Sequence, residues 1–261
     1  MKSCKTIAIC NQKGGVGKTT TTVNLGIGLA KHGMRVLLVD CDPQGDLTAS
    51  LGWQDTDGLS VTLADKMSAV IYDLPLDESG ILRHTEGIDL IPSNLELSAM
   101  EMSLVSAMCR EQILKNYLTT IKNDYDYIII DCNPSLGMLT LNALAAADSV
   151  VVPVQAQYLP AKGMSQLLRT IARVRKNINS DLQIDGILLT LVDKRTKLAK
   201  ATLETLKASF GEYIRIFDSY IPMAVKAAET SCEGMSIYAY APDSAVAQAY
   251  SDFTQEVLSL G

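Results

Sequence analysis

Residues 6–20 read Thr6-Ile7-Ala8-Ile9-Cys10-Asn11-Gln12-Lys13-Gly14-Gly15-Val16-Gly17-Lys18-Thr19-Thr20. A short apolar run of strand character leads into a glycine-rich loop that ends on Lys-Thr. Gly14, Gly15 and Gly17 permit backbone angles closed to residues with a Cβ, so the loop amides can turn inward on a phosphate chain. A helix is expected over 19–32, since Val23, Leu25, Ile27, Leu29 and Ala30 follow with only two glycines as breakers. Its N-terminus adds free N–H groups and the positive end of its dipole to the same anion site. Lys18 is placed to reach β- and γ-phosphates, and the Thr19 hydroxyl to ligand Mg²⁺. The pattern G-x-x-x-x-G-K-[ST] wants glycine at position 12, where Gln12 stands, and a second lysine, Lys13, precedes the glycines. A glycine-rich turn with a chance lysine is the bland alternative. Strand before, helix after and Lys-Thr in register favour the phosphate loop.

Two later apolar runs end in acids. Arg35-Val36-Leu37-Leu38-Val39-Asp40 lacks alternation, which suits a strand buried on both faces, and it continues Cys41-Asp42-Pro43-Gln44-Gly45. Asp40 and Asp42 therefore fall at the carboxyl end of a strand, where open α/β sheets bind ligands. By residue chemistry alone Asp42 also fits a residue that merely opens the turn before Pro43. Tyr127-Ile128-Ile129-Ile130-Asp131 repeats the pattern and resembles a Walker B strand, which implies Mg²⁺ held by Asp131 through water.

The chain has 261 residues, 48% of them hydrophobic, enough for one large domain over residues 1–261. Strand-like runs at 5–10, 35–40, 88–91, 127–131, 149–154 and 184–191 alternate with helix-length segments near 19–32, 96–122, 160–178, 197–210 and 243–259. That alternation predicts an α/β fold whose mostly parallel sheet carries helices on both faces, and the glycine loop with its Lys-Thr makes the expected domain a single P-loop NTPase domain. Six cysteines at 4, 10, 41, 109, 132 and 232 form no Cys-x-x-Cys pair, and no signal peptide is evident, so a reduced cytoplasmic setting is expected. His32 and His84 are too few for a histidine-rich metal site, and no Gly-x-Ser-x-Gly string supports a serine hydrolase.

The string Lys13-Gly14-Gly15-Val16-Gly17-Lys18-Thr19-Thr20 resembles the deviant Walker A signature of the ParA/Soj, MinD and nitrogenase-iron-protein superfamily of ATPases. Asp40-Cys41-Asp42-Pro43-Gln44-Gly45 is similar to switch I of its ParA/Soj branch, and Val151-Val152-Pro153-Val154-Gln155 extends the likeness. The resemblance implies ATP and Mg²⁺ as cofactors, with residues 13–20 around the phosphates. It implies that Lys13 crosses the interface of an ATP-sandwich homodimer to the other subunit's nucleotide, a charge-assisted contact. Catalysis would then rest on Lys13, Lys18 and Asp42, the last orienting the attacking water. Thr19 and Asp131 would hold the metal, Asp40 would support it or the loop around it, and Pro222 and Met223 would lie near the adenine. The family's Cys-Pro-Pro-Ser-Leu stands here as Cys132-Asn133-Pro134-Ser135-Leu136, so a less rigid switch II is expected; Gln157 stands where the family has Glu.

Net charge is −6, yet residues 161–230 hold twelve Lys+Arg against seven Asp+Glu, which leaves eleven against twenty-two elsewhere. Such asymmetry can present one basic face on an acidic protein. From charge alone a solvated helix face is the better reading. Asp193-Lys194-Arg195-Thr196-Lys197-Leu198 resembles a Soj-type segment whose arginine contacts the DNA backbone, and Lys226 matches a further basic position. Resemblance therefore implies nonspecific DNA contacts by Lys194, Arg195, Lys197, Lys200 and Lys226, a nucleoid-associated location, and a ParB-like centromere-binding partner that stimulates hydrolysis. Met223 replaces an arginine of that pattern. No N-terminal helix-turn-helix extension is expected. The alternative is a MinD-like positioning ATPase, but residues 251–261 carry no Lys or Arg for a membrane-targeting helix, so no membrane partner is expected. A metal-cluster carrier and a scaffold with negligible hydrolysis are further rivals on the same fold.

Overall fold

The computed structural model describes residues 4–156, 161–193 and 195–260, without the side chains of residues 161 and 162. Gln157 and Lys194 lie outside the described residues. The apolar run before the glycine loop is β1 (Lys5–Ile9), and it sits near the middle of an eight-stranded sheet. On one side of it lie β5 (Tyr127–Cys132), β2 (Val36–Cys41), β4 (Asp89–Ile91) and the short β3 (Leu82–Arg83). On the other side lie β6 (Ser149–Gln155), β7 (Gln183–Val192) and β8 (Ile216–Pro222). Every pairing is parallel except that of β3 with β4. Parallel order needs crossovers, and these put helices on both faces.

Period-two side chains split each central strand between two cores. Ala8, Ile128 and Ile130 face α3 (Leu63–Ile71), α4 (Glu96–Leu104), α5 (Ile113–Ile121), α6 (Met138–Ala146), α7 (Ala161–Asn177) and α8 (Lys197–Phe210). Ile7, Ile9 and Ile129 face α1 (Lys18–Lys31), α2 (Asp46–Ser50), α10 (Ile237–Tyr240) and α11 (Ala245–Leu258). Helix α9 (Val225–Glu233) packs on α2 at the edge of this second layer.

The single helix expected over 96–122 is two helices. Asn142, buried on α6, accepts the Leu114 N–H at 3.1 Å and donates to the Arg110 carbonyl at 2.8 Å. It thereby starts α5 from a neighbouring helix, and Cys109 takes a left-handed φ of 49° in the turn between.

Gly234 ends α9 in the left-handed conformation, φ 68°, and hands its carbonyl to His84 Nε2 at 3.2 Å. A Cβ built there would lie 2.7 Å from the Gly52 Cα, so the close approach of two backbones fixes α9 against α2. Gly234→Ala should destabilise the protein by about 1–3 kcal/mol through clash and φ strain. Urea unfolding measures it, and an unchanged midpoint would show that this contact is not constraining.

Candidate nucleotide site

The glycine loop is held open from both ends. Asn11, buried at the exit of β1, donates to the Pro153 carbonyl on β6 at 2.7 Å and accepts the Lys13 N–H at 3.1 Å. Thr190 on β7 donates to the Val16 carbonyl at 2.8 Å. Val16 is buried behind the loop, so it offers the cleft backbone only. Gly15 and Gly17 take φ of 68° and 80°, and nothing lies within 4 Å of where a Cβ of Gly14 or Gly15 would be. Gly17 is the N-cap of α1 and supplies no side-chain cap, nor does the first turn carry an acid. The helix's leading N–H groups are thus left for an anion.

Lys18 is 7% exposed, and among the described residues its ammonium reaches the Lys13 carbonyl, at 3.5 Å. Among the described residues no carboxylate lies within 4.0 Å of it. A buried cation with no carboxylate in contact is costly, so the cleft suits an incoming anion. Thr19 donates to Asp131 Oδ2 at 2.7 Å and Thr22 to Asp131 Oδ1 at 3.2 Å, which ties β5 to the first turn of α1. Burial pushes the Asp131 carboxyl up to about 7, against the pull of Thr19 and Lys18. No group of three or more His, Cys, Asp or Glu suited to a metal exists among the described residues. The donors present fit Mg²⁺ that takes the Thr19 hydroxyl, Asp131 through water, and its remaining oxygens from nucleotide and solvent.

Asp40 pairs in register with Asp131 on the neighbouring strand and is fully buried. Burial first, and Asp131 second, raise its carboxyl to about 8. Its oxygens accept the Thr48 N–H at 2.8 Å, the Thr48 hydroxyl at 2.7 Å and the Asp42 N–H at 3.2 Å. Of the two duties expected of Asp40, the geometry favours support of the loop. Asp42 lines the cleft, half-buried, accepts the Gln44 N–H at 3.0 Å, and burial holds its carboxyl above the usual range.

The cleft has a volume of about 390 Å³. Gly14, Gly15, Gly17, Lys18, Thr19 and Thr20 line it together with the apolar Leu191, Ile221, Pro222, Ala224 and Ala227. The apolar part of the lining suits a flat base. Met223 stands outside it, exposed, on a neighbouring groove that shares Pro222. Leu191 is in the left-handed region at φ 51°, a strained angle at a cleft-lining residue that nothing in the sequence signals. Lys13 does not line its own cleft; its ammonium donates to Gln155 Oε1 at 3.2 Å.

Switch II departs from the expected looseness. Asn133 is buried, and its carbonyl oxygen accepts the Ser135 hydroxyl at 3.2 Å and the Thr140 hydroxyl at 2.9 Å. The carboxamide pins the turn to α6 where a proline would have stiffened it. Of the basic residues expected at DNA, Arg195 is exposed and gripped at both ends by Asp193, at 3.0 Å twice. Lys197 and Lys200 are exposed at the start of α8, and Lys226 at the start of α9.

Loop, buried lysine and acid-ended strands define a P-loop nucleotide-binding protein with a second, deviant lysine. The AAA domain family model matches residues 4–184. The chain is 45% identical over 262 residues to the sporulation initiation inhibitor protein Soj of Bacillus subtilis, covering 98% of this chain and 99% of that one. It is 39% identical over 257 residues to the chromosome partitioning protein ParA of Caulobacter vibrioides, covering 98% and 94%. A solved structure of cobyrinic acid a,c-diamide synthase from Mycobacterium smegmatis, with bound ADP and magnesium, matches at a TM-score of 0.85. That match is 38% identical and covers 98% of this chain and 94% of the other. The chain belongs to the ParA/Soj family of P-loop ATPases.

The Thr48 hydroxyl also accepts the Ser93 N–H at 3.0 Å, so it joins Asp40 to the segment before α4. Thr48→Val leaves a buried N–H unpaired and takes one bond from Asp40, which should cost about 1–3 kcal/mol. Chemical denaturation reads this directly, and a loss below a few tenths would mean that the network is not strained by the change.

Proposed function

We propose that this chain is an ATP-hydrolysing DNA-partition protein. ATP and Mg²⁺ assemble a sandwich homodimer, the dimer binds DNA without sequence preference at the nucleoid, and a ParB-like partner stimulates hydrolysis and release. The carrying observation is the division of labour between the lysines: Lys18 lies buried in its own cleft with no carboxylate of the described residues within 4.0 Å, whereas Lys13 stands off that cleft on Gln155. Lys13 is therefore placed to exchange Gln155 for a nucleotide held by a second copy, and the second copy's Lys13 for this one's. Full-length similarity to Soj and ParA supports partition as the process.

In this reading Lys18 and the loop amides neutralise the phosphate oxygens, and Mg²⁺ supplies further charge neutralisation at the same oxygens. Asp42, at the mouth of the cleft, orients the attacking water. Asp40 and Thr48 hold the Asp42 turn in place.

Two alternatives fare less well. A diamide synthase, as the Mycobacterium smegmatis protein is named, needs a source of ammonia, and among the described residues no cysteine lines this cleft to release one from glutamine. A MinD-like membrane role would need an available lipid-binding face, but α11 buries Val246, Tyr250, Phe253 and Val257 in the core. No helix among the described residues is long and apolar enough to cross a membrane.

The test is DNA binding in ATP against ADP over a salt series. Binding should be stronger with ATP and fall steeply with salt. Lys13→Ala should fold normally and lose the ATP dependence; a variant that still dimerises and binds DNA like the parent removes the clamp. Asp42→Ala should keep the ATP dimer and lose phosphate release by about a hundredfold or more, and undiminished turnover would count against its assigned role.

A further inference from the structure

Helix α7 carries five Lys+Arg, at 162, 169, 173, 175 and 176, and no Asp or Glu. Arg169, Arg173 and Lys176 are exposed, and their spacing of i, i+4 and i+7 aligns them along one side of the helix. At 1.5 Å per residue the stripe is about 10 Å long. The opposite side, Met164, Leu167, Ile171 and Val174, is buried in the core. Among the described residues no ion pair holds Arg169, Arg173 or Lys176, whereas Arg35, Arg110, Arg195 and Arg215 each grip a carboxylate. Like charges one turn apart repel and destabilise a helix, so this face carries a cost that no ion pair among the described residues offsets.

The neighbouring α8 lies on the same sheet face and adds Lys197, Lys200 and Lys207 against one acid, Glu204. The two helices together hold eight basic residues and one acid; the remaining 15 basic and 28 acidic residues give −13 elsewhere. A field so divided turns one side of the molecule toward a polyanion. Because α7 runs from the carboxyl end of β6 to the amino end of β7, its stripe continues down the sheet from the level of Arg195.

We propose that the outer side of α7 is a phosphate-binding surface for duplex DNA, extending the contact expected at Arg195 and the start of α8. The inference rests on the DNA-binding reading above. Three basic side chains along about 10 Å can meet up to three phosphates of a duplex that carries one charge per ~1.7 Å of its axis. Phosphate contacts carry no sequence information, in keeping with nonspecific binding. An anionic bilayer is the other polyanion such a stripe could meet, but the buried apolar side leaves α7 nothing to insert into lipid.

The test uses the full chain with ATP and Mg²⁺ and a duplex of arbitrary sequence, with affinity measured over a salt series. The triple variant Arg169→Gln, Arg173→Gln, Lys176→Gln should reduce the slope of log affinity against log salt by about 2–3, near 0.9 for each phosphate that is no longer neutralised. Its hydrolysis rate without DNA and its thermal midpoint should match the parent. The double variant Arg169→Lys, Arg173→Lys should keep the parent slope, as a charge contact requires. Should the triple variant fail to fold, Arg173→Glu alone provides the same readout. A parent-like slope in the charge-removing variants overturns the proposal. So does charge-dependent pelleting with phosphatidylglycerol vesicles in place of DNA, which would assign the stripe to lipid headgroups. A parent protein with no DNA affinity in ATP brings down the DNA reading as a whole, an outcome distinct from a normal parent with a normal variant.

Discussion

A lysine ammonium buried without a carboxylate against it is the constraint on which the rest depends. Lys18 sits at the first position of α1 and lines the cleft together with Gly14, Gly15 and Gly17 of the loop. Each component alone is unfavourable: the cation has no carboxylate of the described residues within 4.0 Å, the helix end lacks a side-chain cap, and the glycine loop gives up chain entropy. An anion with several oxygens resolves all three together. The sheet order serves this arrangement, because β1, β2 and β5 are adjacent and parallel and deliver loop, Asp40 and Asp131 to one edge.

The walls of the cleft connect it to the rest of the molecule. Thr190 holds the loop, Leu191 beside it is strained, and the chain passes from there through Asp193 to Arg195 and α8. On the adjacent strand Pro222 pairs with Val192 and leads directly to Lys226 on α9. Basic residues on both layers are therefore only a few residues from Leu191 and Pro222 in the cleft wall. A change in what fills the cleft has a short covalent route to the surfaces that carry positive charge.

The phosphate loop is legible in the sequence because its chemistry is local: glycine spacing, a preceding strand and Lys-Thr in register say the same thing within fifteen residues. The strands ending at Asp40 and Asp131 are legible because they are buried on both faces and so read as unbroken apolar runs. What is not legible depends on neighbours distant in sequence. Helix α6 is buried nearly all round and has no polar side to mark a helical period. Strand β8 lies at the sheet edge, with Asp218 exposed and Ser219 half-exposed interrupting its pattern. The break between α4 and α5 is set by Asn142 from another helix. Asn133 reads in sequence as a loss of stiffness because its partners, Ser135 and Thr140, reveal themselves only once α6 is in place. Helix α3 does carry a local signal, the Thr62–Asp65 capping box, although its apolar pattern is too short to stand out.

The central claim is that nucleotide completes its binding site by bringing two copies of this chain together. Native mass measurement of the parent protein in ATP and Mg²⁺ tests it most directly. The account predicts a species of two chains carrying two nucleotides, which reverts to single chains when ADP replaces ATP. A single chain carrying one ATP at saturating nucleotide, with no larger species, would contradict it.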